Sequence, residues 1–133
     1  MKILLFGADG QLGSAFKGCF RSWVSGNRIE IKYATKRDCD LRNEQSLNNL
    51  LNSFSPNLII NAAAYTAVDK AETEANLAFA INATAPELMA KYSANHGATL
   101  LHFSTDYVFD GTKQGTYQEL DQTNPLSIYG KSK

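Results

Sequence analysis

The segment Gly7-Ala8-Asp9-Gly10-Gln11-Leu12-Gly13 constrains this chain more than any other, because it spells G-x-x-G-x-x-G between an apolar run and a helical one. Lys2 to Phe6 reads as a buried strand stopped by glycine. From Gln11 to about Trp23, residues Leu12, Ala15, Phe16, Cys19 and Phe20 recur at spacings of three and four, the helical period. Glycine permits a tight turn between strand and helix, lets backbone N–H groups approach an anion, and lets the helix pack closely on the strand. The helix N-terminus adds a partial positive charge at the same point. The expected ligand is the pyrophosphate of a dinucleotide, and the competing reading is an ordinary tight β–α turn.

The rest of the chain alternates short apolar runs with helical stretches, as parallel α/β sheets do. Gly26-Asn27 turns into a second strand at Ile29 to Ala34, and a weaker third is expected near Asp38 to Leu41. Asn43 caps a helix whose apolar positions are Leu47, Leu50, Leu51 and Phe54. Pro56-Asn57 breaks the chain before a strand from Leu58 to Ala64. A long helix from Glu72 to His96 ends at Gly97, with a kink or restart at Pro86. Thr99 to Phe103 is another strand, and Asn124-Pro125 starts a final helix. The expected fold class is α/β, a doubly wound parallel sheet (Rossmann fold), incomplete at its carboxyl-terminal side. Such a sheet has six strands in the order 3-2-1-4-5-6, whereas five are legible here. The strand at Thr99 to Phe103 is then an open apolar edge, which favours a homo-oligomer.

Composition narrows the partners. The chain has 133 residues, one domain's worth, with 13 basic and 13 acidic side chains and a formal net charge of zero. That balance argues against nucleic-acid or membrane binding through bulk positive charge. The apolar start, Met1 to Phe6, is too short for a signal peptide or a membrane span. The two cysteines, Cys19 and Cys39, are too few for a disulfide framework, so a reduced, cytoplasmic protein is expected. His96 and His102 lack ligand spacing, and no metal site is expected.

Three further groups of residues carry chemistry. Strict NAD fingerprints place an acid about twenty residues beyond the glycines to bond the ribose 2′-hydroxyl. Here the second strand ends in Thr35-Lys36-Arg37, and Lys36 and Arg37 suit a 2′-phosphate, favouring NADPH with NADH as the second choice. A solvated loop is the plainer reading, and Asp38 and Asp40 blur the distinction. Asp40-Leu41 can instead flank the adenine, the carboxylate on its amino group and the leucine on its face. Ser104-Thr105-Asp106 follows the last strand, where open α/β sheets place ligands. Tyr129 and Lys133, four apart, share a helix face, and the ammonium makes proton transfer from the phenol feasible near neutral pH. Lys133 can also bond the nicotinamide ribose.

The glycine turn, the stretch from Asn61 to Glu72 (NAAAYTAVDKAE), Ser104 to Phe109 (STDYVF) and Tyr129 to Lys133 (YGKSK) together resemble the extended short-chain dehydrogenase/reductases. Within them, the chain is similar to the group that reduces dTDP-4-dehydrorhamnose. The resemblance implies pyrophosphate contacts from Gly7, Gly10, Gln11, Leu12 and Gly13, and adenine-side contacts from Asp40 and Leu41. It also implies that Ala64, Tyr65 and Thr66 border the nicotinamide, with Ala62 and Ala63 lining the cofactor beside them. Thr105 and Asp106 would meet the sugar nucleotide, Thr105 also bonding the reacting oxygen; Tyr129 would be the proton donor and Lys133 its electrostatic partner. Nucleotide-sugar 4,6-dehydratases of the same fold carry Asp-Glu after the threonine, whereas Asp106 is followed by Tyr107, which disfavours dehydration. Two alternatives stay open. One is a nucleotide-sugar epimerase. The other is a non-catalytic NADP-binding subunit resembling the regulatory subunit of methionine adenosyltransferase. Family members run to about 300 residues, with a carboxyl-terminal substrate part. The expectation is therefore that residues 1–133 form a truncated NAD(P)-binding domain that binds cofactor and is inactive alone.

Overall fold

The spine of the molecule is β1 (Lys2–Phe6), the second of four parallel strands in the order β2-β1-β3-β4. The computed structural model describes residues 1–23 and 28–133, so the turn expected at Gly26-Asn27 lies outside the described residues. The chain runs β1, α1 (Gln11–Trp23), β2 (Glu30–Ala34), α2 (Glu44–Phe54), β3 (Leu58–Asn61), α3 (Val68–Ala71) and α4 (Ala75–Phe79). It continues through a π-helical turn (Ala80–Thr84), α5 (Ala85–His96), β4 (Thr99–His102), a 3-10 turn (Asp106–Val108) and α6 (Ile128–Ser132).

Helices cover both faces of the sheet, so β1 reads as a continuous apolar run with Ile3, Leu4 and Leu5 fully buried. On one face Leu4, Phe6 and Ile59 pack with Leu47 and Leu51 of α2 and Met89 of α5. Each such leucine, fully buried, is worth about 2 kcal/mol. On the other face Ile3, Leu5 and Ile60 meet Phe16 and Phe20 of α1, and Phe16 also touches Phe103, with ring centroids 6.1 Å apart. α2 starts as expected: the Asn43 side chain accepts from the Ser46 amide at 3.0 Å. α5 ends on Gly97, which takes φ +64°.

Four expectations need correction. No strand forms at Asp38 to Leu41; the Asp38 and Cys39 amides donate back to the Thr35 carbonyl at 3.0 and 3.1 Å, and this local turn replaces ladder pairing. Among the described residues the sheet therefore has four strands, and β2 is its outer strand on that side. β3 stops at Asn61 rather than Ala64, because its partner β1 ends where Phe6 faces Asn61. The helix read from Glu72 begins at Ala75 instead, and the restart expected at Pro86 takes the form of a π turn between α4 and α5. Pro86 cannot donate and its ring crowds the carbonyl four residues back, that of Asn82. The wider π turn accommodates it, with the Ala85 amide donating to Ala80 O, five residues back. The last helix begins at Ile128, where the Ser127 hydroxyl accepts from the Gly130 amide at 3.0 Å; Asn124-Pro125 still belongs to the preceding loop.

This topology fixes the site. The connection through α1 places β2 on one side of β1, and the connection through α2 returns to place β3 on the other. The strand order therefore reverses between β1 and β3, and open α/β sheets bind ligands beyond the carboxyl ends of strands at such a point.

Candidate functional site

Two adjoining hollows of about 490 and 510 Å³ open over the carboxyl ends of the strands, sharing Gly10, Ala62, Ala63, Ala64 and Thr66. The turn between β1 and α1 forms their common floor. Gly7 has φ +72°, and a Cβ there would lie 2.6 Å from Ala63 N and 2.7 Å from Ala62 C. A Cβ on Gly13 would overlap the Gly7 carbonyl and lie 2.8 Å from Ala8 Cα. The two glycines thus let β1, α1 and the chain after β3 converge closer than side chains allow. Gln11 and Leu12, in the first turn of α1, line the second hollow. Amides of a helix's first turn have no intrahelical acceptor, and they carry the positive end of its dipole. The floor fits a pyrophosphate: small, amide-lined and at a helix N-terminus.

The first hollow is lined at its far end by Thr35, Lys36, Cys39, Asp40, Leu41 and Arg42. Arg37 does not line it, and Gly13 lies beneath the floor. Both acids of this region are already engaged. Asp38 accepts from the Thr35 amide at 2.8 Å and the Thr35 hydroxyl at 2.7 Å, and the amide bond in particular lowers its pKa. Asp40 accepts from Arg42 Nε at 2.9 Å on each oxygen and from Arg42 Nη2. That guanidinium, followed by the Arg42 amide, holds the Asp40 carboxyl down at about 2.

The second hollow gathers Phe103, Ser104, Tyr129 and Lys133 around Asn61 to Ala64. Tyr129, in α6, and Lys133, at its end, both line this hollow. Lys133 Nζ donates to the Phe103 carbonyl at 2.6 Å, and burial lowers its pKa. The Tyr129 ring meets Tyr107 edge-on, centroids 5.6 Å apart. A Cβ on Gly130 would overlap the Tyr107 carbonyl, so glycine lets α6 seat against the 3-10 turn. Thr105 and Asp106 stand outside both hollows; the Thr105 hydroxyl donates to Asp106 Oδ1 at 3.1 Å and accepts from the Tyr107 amide at 3.3 Å.

Tyr65 lines the first hollow, and its hydroxyl donates to Glu74 Oε2 at 2.6 Å. That carboxylate pushes the Tyr65 phenol up to about 12. Tyr65 is therefore a poor proton donor at neutral pH, and it is Tyr129 that lines the second hollow.

Sequence reasoning missed the groups that hold these pieces together. Asn82, buried in the π turn, accepts from the Tyr65 amide at 2.8 Å and donates to the Tyr65 carbonyl and to Ser132 Oγ, each at 3.0 Å. Ser132 in turn donates to the Tyr129 carbonyl at 2.7 Å. Glu72, at the end of α3, accepts from the Ile128 amide at 2.8 Å. The first link ties α6 to the loop after β3, and the second ties it to the end of α3. The only sequence signal for Asn82 was Pro86, which forces the π turn around it; Arg42 gave none.

Comparison with known proteins shows the family. The family model described as RmlD substrate binding domain matches residues 1–133. The chain is similar to the dTDP-4-dehydrorhamnose reductase of Salmonella typhimurium, 45% identical over 135 residues, covering 100% of this chain and 44% of that protein. Among solved structures, it resembles a dTDP-4-dehydrorhamnose reductase of Clostridium acetobutylicum, with TM-score 0.88 and 41% identity over 99% of this chain and 46% of that one. The Bacillus anthracis reductase, solved in complex with NADP, gives TM-score 0.85 and 35% identity over 98% of this chain and 45% of that one. The chain thus spans a little under half the length of these relatives.

Proposed function

This chain belongs to the RmlD substrate binding domain family, and from that premise we propose that residues 1–133 form the cofactor-binding half of an NADPH-dependent dTDP-4-dehydrorhamnose reductase, with NADH as second cofactor. The observation that carries the reading is the close approach of Gly7 to the backbone of Ala62 and Ala63, with Gly13 packed beneath it, at the floor of adjoining hollows that run on to Tyr129 and Lys133. A dinucleotide laid along it has its pyrophosphate over Gly10 to Leu12, its adenosine beside Lys36, Asp40 and Leu41, and its nicotinamide beside Ala64, Tyr65, Thr66, Tyr129 and Lys133. The reduced nicotinamide supplies hydride to the C4 carbonyl of dTDP-4-dehydro-L-rhamnose, giving dTDP-L-rhamnose.

This chain's residues do the proton work. The Tyr129 hydroxyl donates a proton to the developing C4 alkoxide, and the Lys133 ammonium favours the resulting phenolate. Thr105 contributes a hydrogen bond to the same oxygen once its hydroxyl turns away from Asp106, and Asp106 helps position the sugar nucleotide. Lys36 meets the 2′-phosphate. Because Thr105 and Asp106 lie outside the hollows and the relatives are about twice as long, the 133-residue chain binds cofactor without turning over the keto sugar. Titrating the purified chain with NADPH and NADH, followed by fluorescence or calorimetry, tests this. Saturable binding of both, tighter for NADPH, is expected, with no NADPH consumption when the keto sugar is added. Failure to bind either would overturn the reading, and turnover would overturn its second half.

A further inference from the structure

We propose that Glu72 is a positioning residue for the nicotinamide end of the cleft: its carboxylate seats the helix that carries Tyr129 and leads to Lys133. The proposal rests on the cofactor reading above and names what aligns those two residues. α6 (Ile128–Ser132) has five residues. A helix so short is not stable by itself, so its place is set by what it is tied to. Toward its far end Ser132 Oγ accepts from Asn82 at 3.0 Å, Lys133 Nζ donates to the Phe103 carbonyl at 2.6 Å, and Gly130 sits close on the Tyr107 carbonyl.

At its start Glu72 Oε1 accepts from the Ile128 amide at 2.8 Å, one residue before Tyr129. First-turn amides have no intrahelical acceptor, and a carboxylate suits the positive end of a helix. Ser127 serves a second such amide, that of Gly130, but from within the same segment. It shapes the turn without placing it in the fold. Glu72 supplies the placement, because its own backbone is anchored. Ala71 beside it is fully buried, and its amide donates to the Ala67 carbonyl at 2.9 Å. The Thr73 and Glu74 amides donate to the Lys70 carbonyl at 3.1 and 2.8 Å. Thr66 and Ala67, just ahead of α3, line the first hollow. The Glu72 bond therefore sets Tyr129 relative to the stretch from Ala64 to Thr66, the other side of the nicotinamide position. Glu72 is exposed and lines neither hollow, so it acts through α6.

The test measures dissociation constants of two ligands for the wild-type chain and its Glu72→Ala and Glu72→Gln variants. One ligand is NADPH; the other is 2′,5′-ADP, which has the adenosine and its 2′-phosphate but no nicotinamide. Removing the carboxylate lowers the fraction of molecules with α6 seated, and affinity for a ligand that needs this helix falls with that fraction. Glu72→Ala should weaken NADPH about fivefold, the worth of one hydrogen bond, and leave 2′,5′-ADP unchanged, which also shows the variant to be folded. Glu72→Gln keeps an oxygen acceptor of the same reach and should recover most of the loss. Undiminished NADPH affinity in Glu72→Ala would overturn the proposal. So would equal losses for both ligands, which mark general disruption, or a glutamine variant as weak as the alanine one. If the wild-type chain binds neither ligand, the cofactor reading falls first and takes this assignment with it.

Discussion

Gly13 and Gly18 lie in the same helix, and the structure assigns the same substitution opposite signs at the two positions. At Gly18 an added methyl would meet nothing within 4 Å. Gly18→Ala therefore gains helix propensity alone, about 1 kcal/mol, which for a chain of this size raises the melting temperature by about 3–5 °C. At Gly13 the methyl would lie 2.8 Å from Ala8 Cα and 2.9 Å from Ala8 C, and it would overlap the Gly7 carbonyl. Those atoms are backbone and cannot rotate aside, so α1 must withdraw from β1. Overpacking of this kind costs about 1–3 kcal/mol, against which the propensity gain is the smaller effect. Withdrawal also pulls the first-turn amides off the pyrophosphate position; losing one or two charge-assisted bonds at about 1.5–3 kcal/mol each weakens NADPH about tenfold or more. The assay is thermal unfolding of both variants beside NADPH titration. A Gly13→Ala chain as stable as wild type with undiminished NADPH affinity would refute the close-approach argument. A Gly18→Ala chain that melts lower would refute the claim of open space.

Other perturbations test other parts. Asn82→Ala removes a group whose three hydrogen bonds join Tyr65 to Ser132; urea unfolding should show a loss of about 2–4 kcal/mol, and a loss below about 1 kcal/mol would mean that water replaces the side chain freely. Ser55 ends α2 with φ 51°, a conformation costing a non-glycine residue about 1–2 kcal/mol. Ser55→Gly relieves this but loses the hydroxyl bond to the Asn52 carbonyl at 3.0 Å; a net gain of about 0.5 kcal/mol is expected in the same measurement, and a loss would show the strain to be negligible. Asp40, held down at about 2 by Arg42, contributes stability that is present above the ordinary carboxylate value and lost as pH falls through about 2. A carbon-detected titration of the Asp40 carboxyl should give that midpoint and move up toward ~3.9 in Arg42→Ala; an unmoved midpoint would show that the guanidinium is not the cause.

What could be read beforehand was whatever depends on neighbours in sequence. The glycine turn, the caps at Asn43 and Gly97 and the helix from Gln11 to Trp23 are set by residues within one or two turns, and they were legible. The third strand failed because its fate was local in another way: Asp38 folds its carboxylate onto Thr35, and that turn competes successfully with a ladder partner. The end of β3 depended on where β1 stops, a fact carried by a distant segment. Asn82 and Glu72 look like ordinary polar residues of a helical stretch, yet their partners are Ser132 and Ile128, far along the chain. Arg42 reads as a charge in a polar loop until its grip by Asp40 is seen. The site was thus legible in its floor and its Tyr129–Lys133 pair, and illegible in the bonds that align them.

The central place of β1 has a consequence for how the chain reaches this structure. Lys2 faces Glu30 on one side and Ile3 faces Leu58 on the other, so both β2 and β3 build upon β1, and β4 is added through β3. This apolar strand meets its first neighbour only after α1 and its second only after α2. Parallel pairings of this kind close long loops before they gain contacts, which makes folding slow and the waiting strand prone to misassociation. The amino terminus is itself engaged, its ammonium donating to the Arg28 carbonyl at 2.9 Å. With the Glu30 amide donating to the Met1 carbonyl at 2.9 Å, that bond ties the start of β1 to the segment that leads into β2.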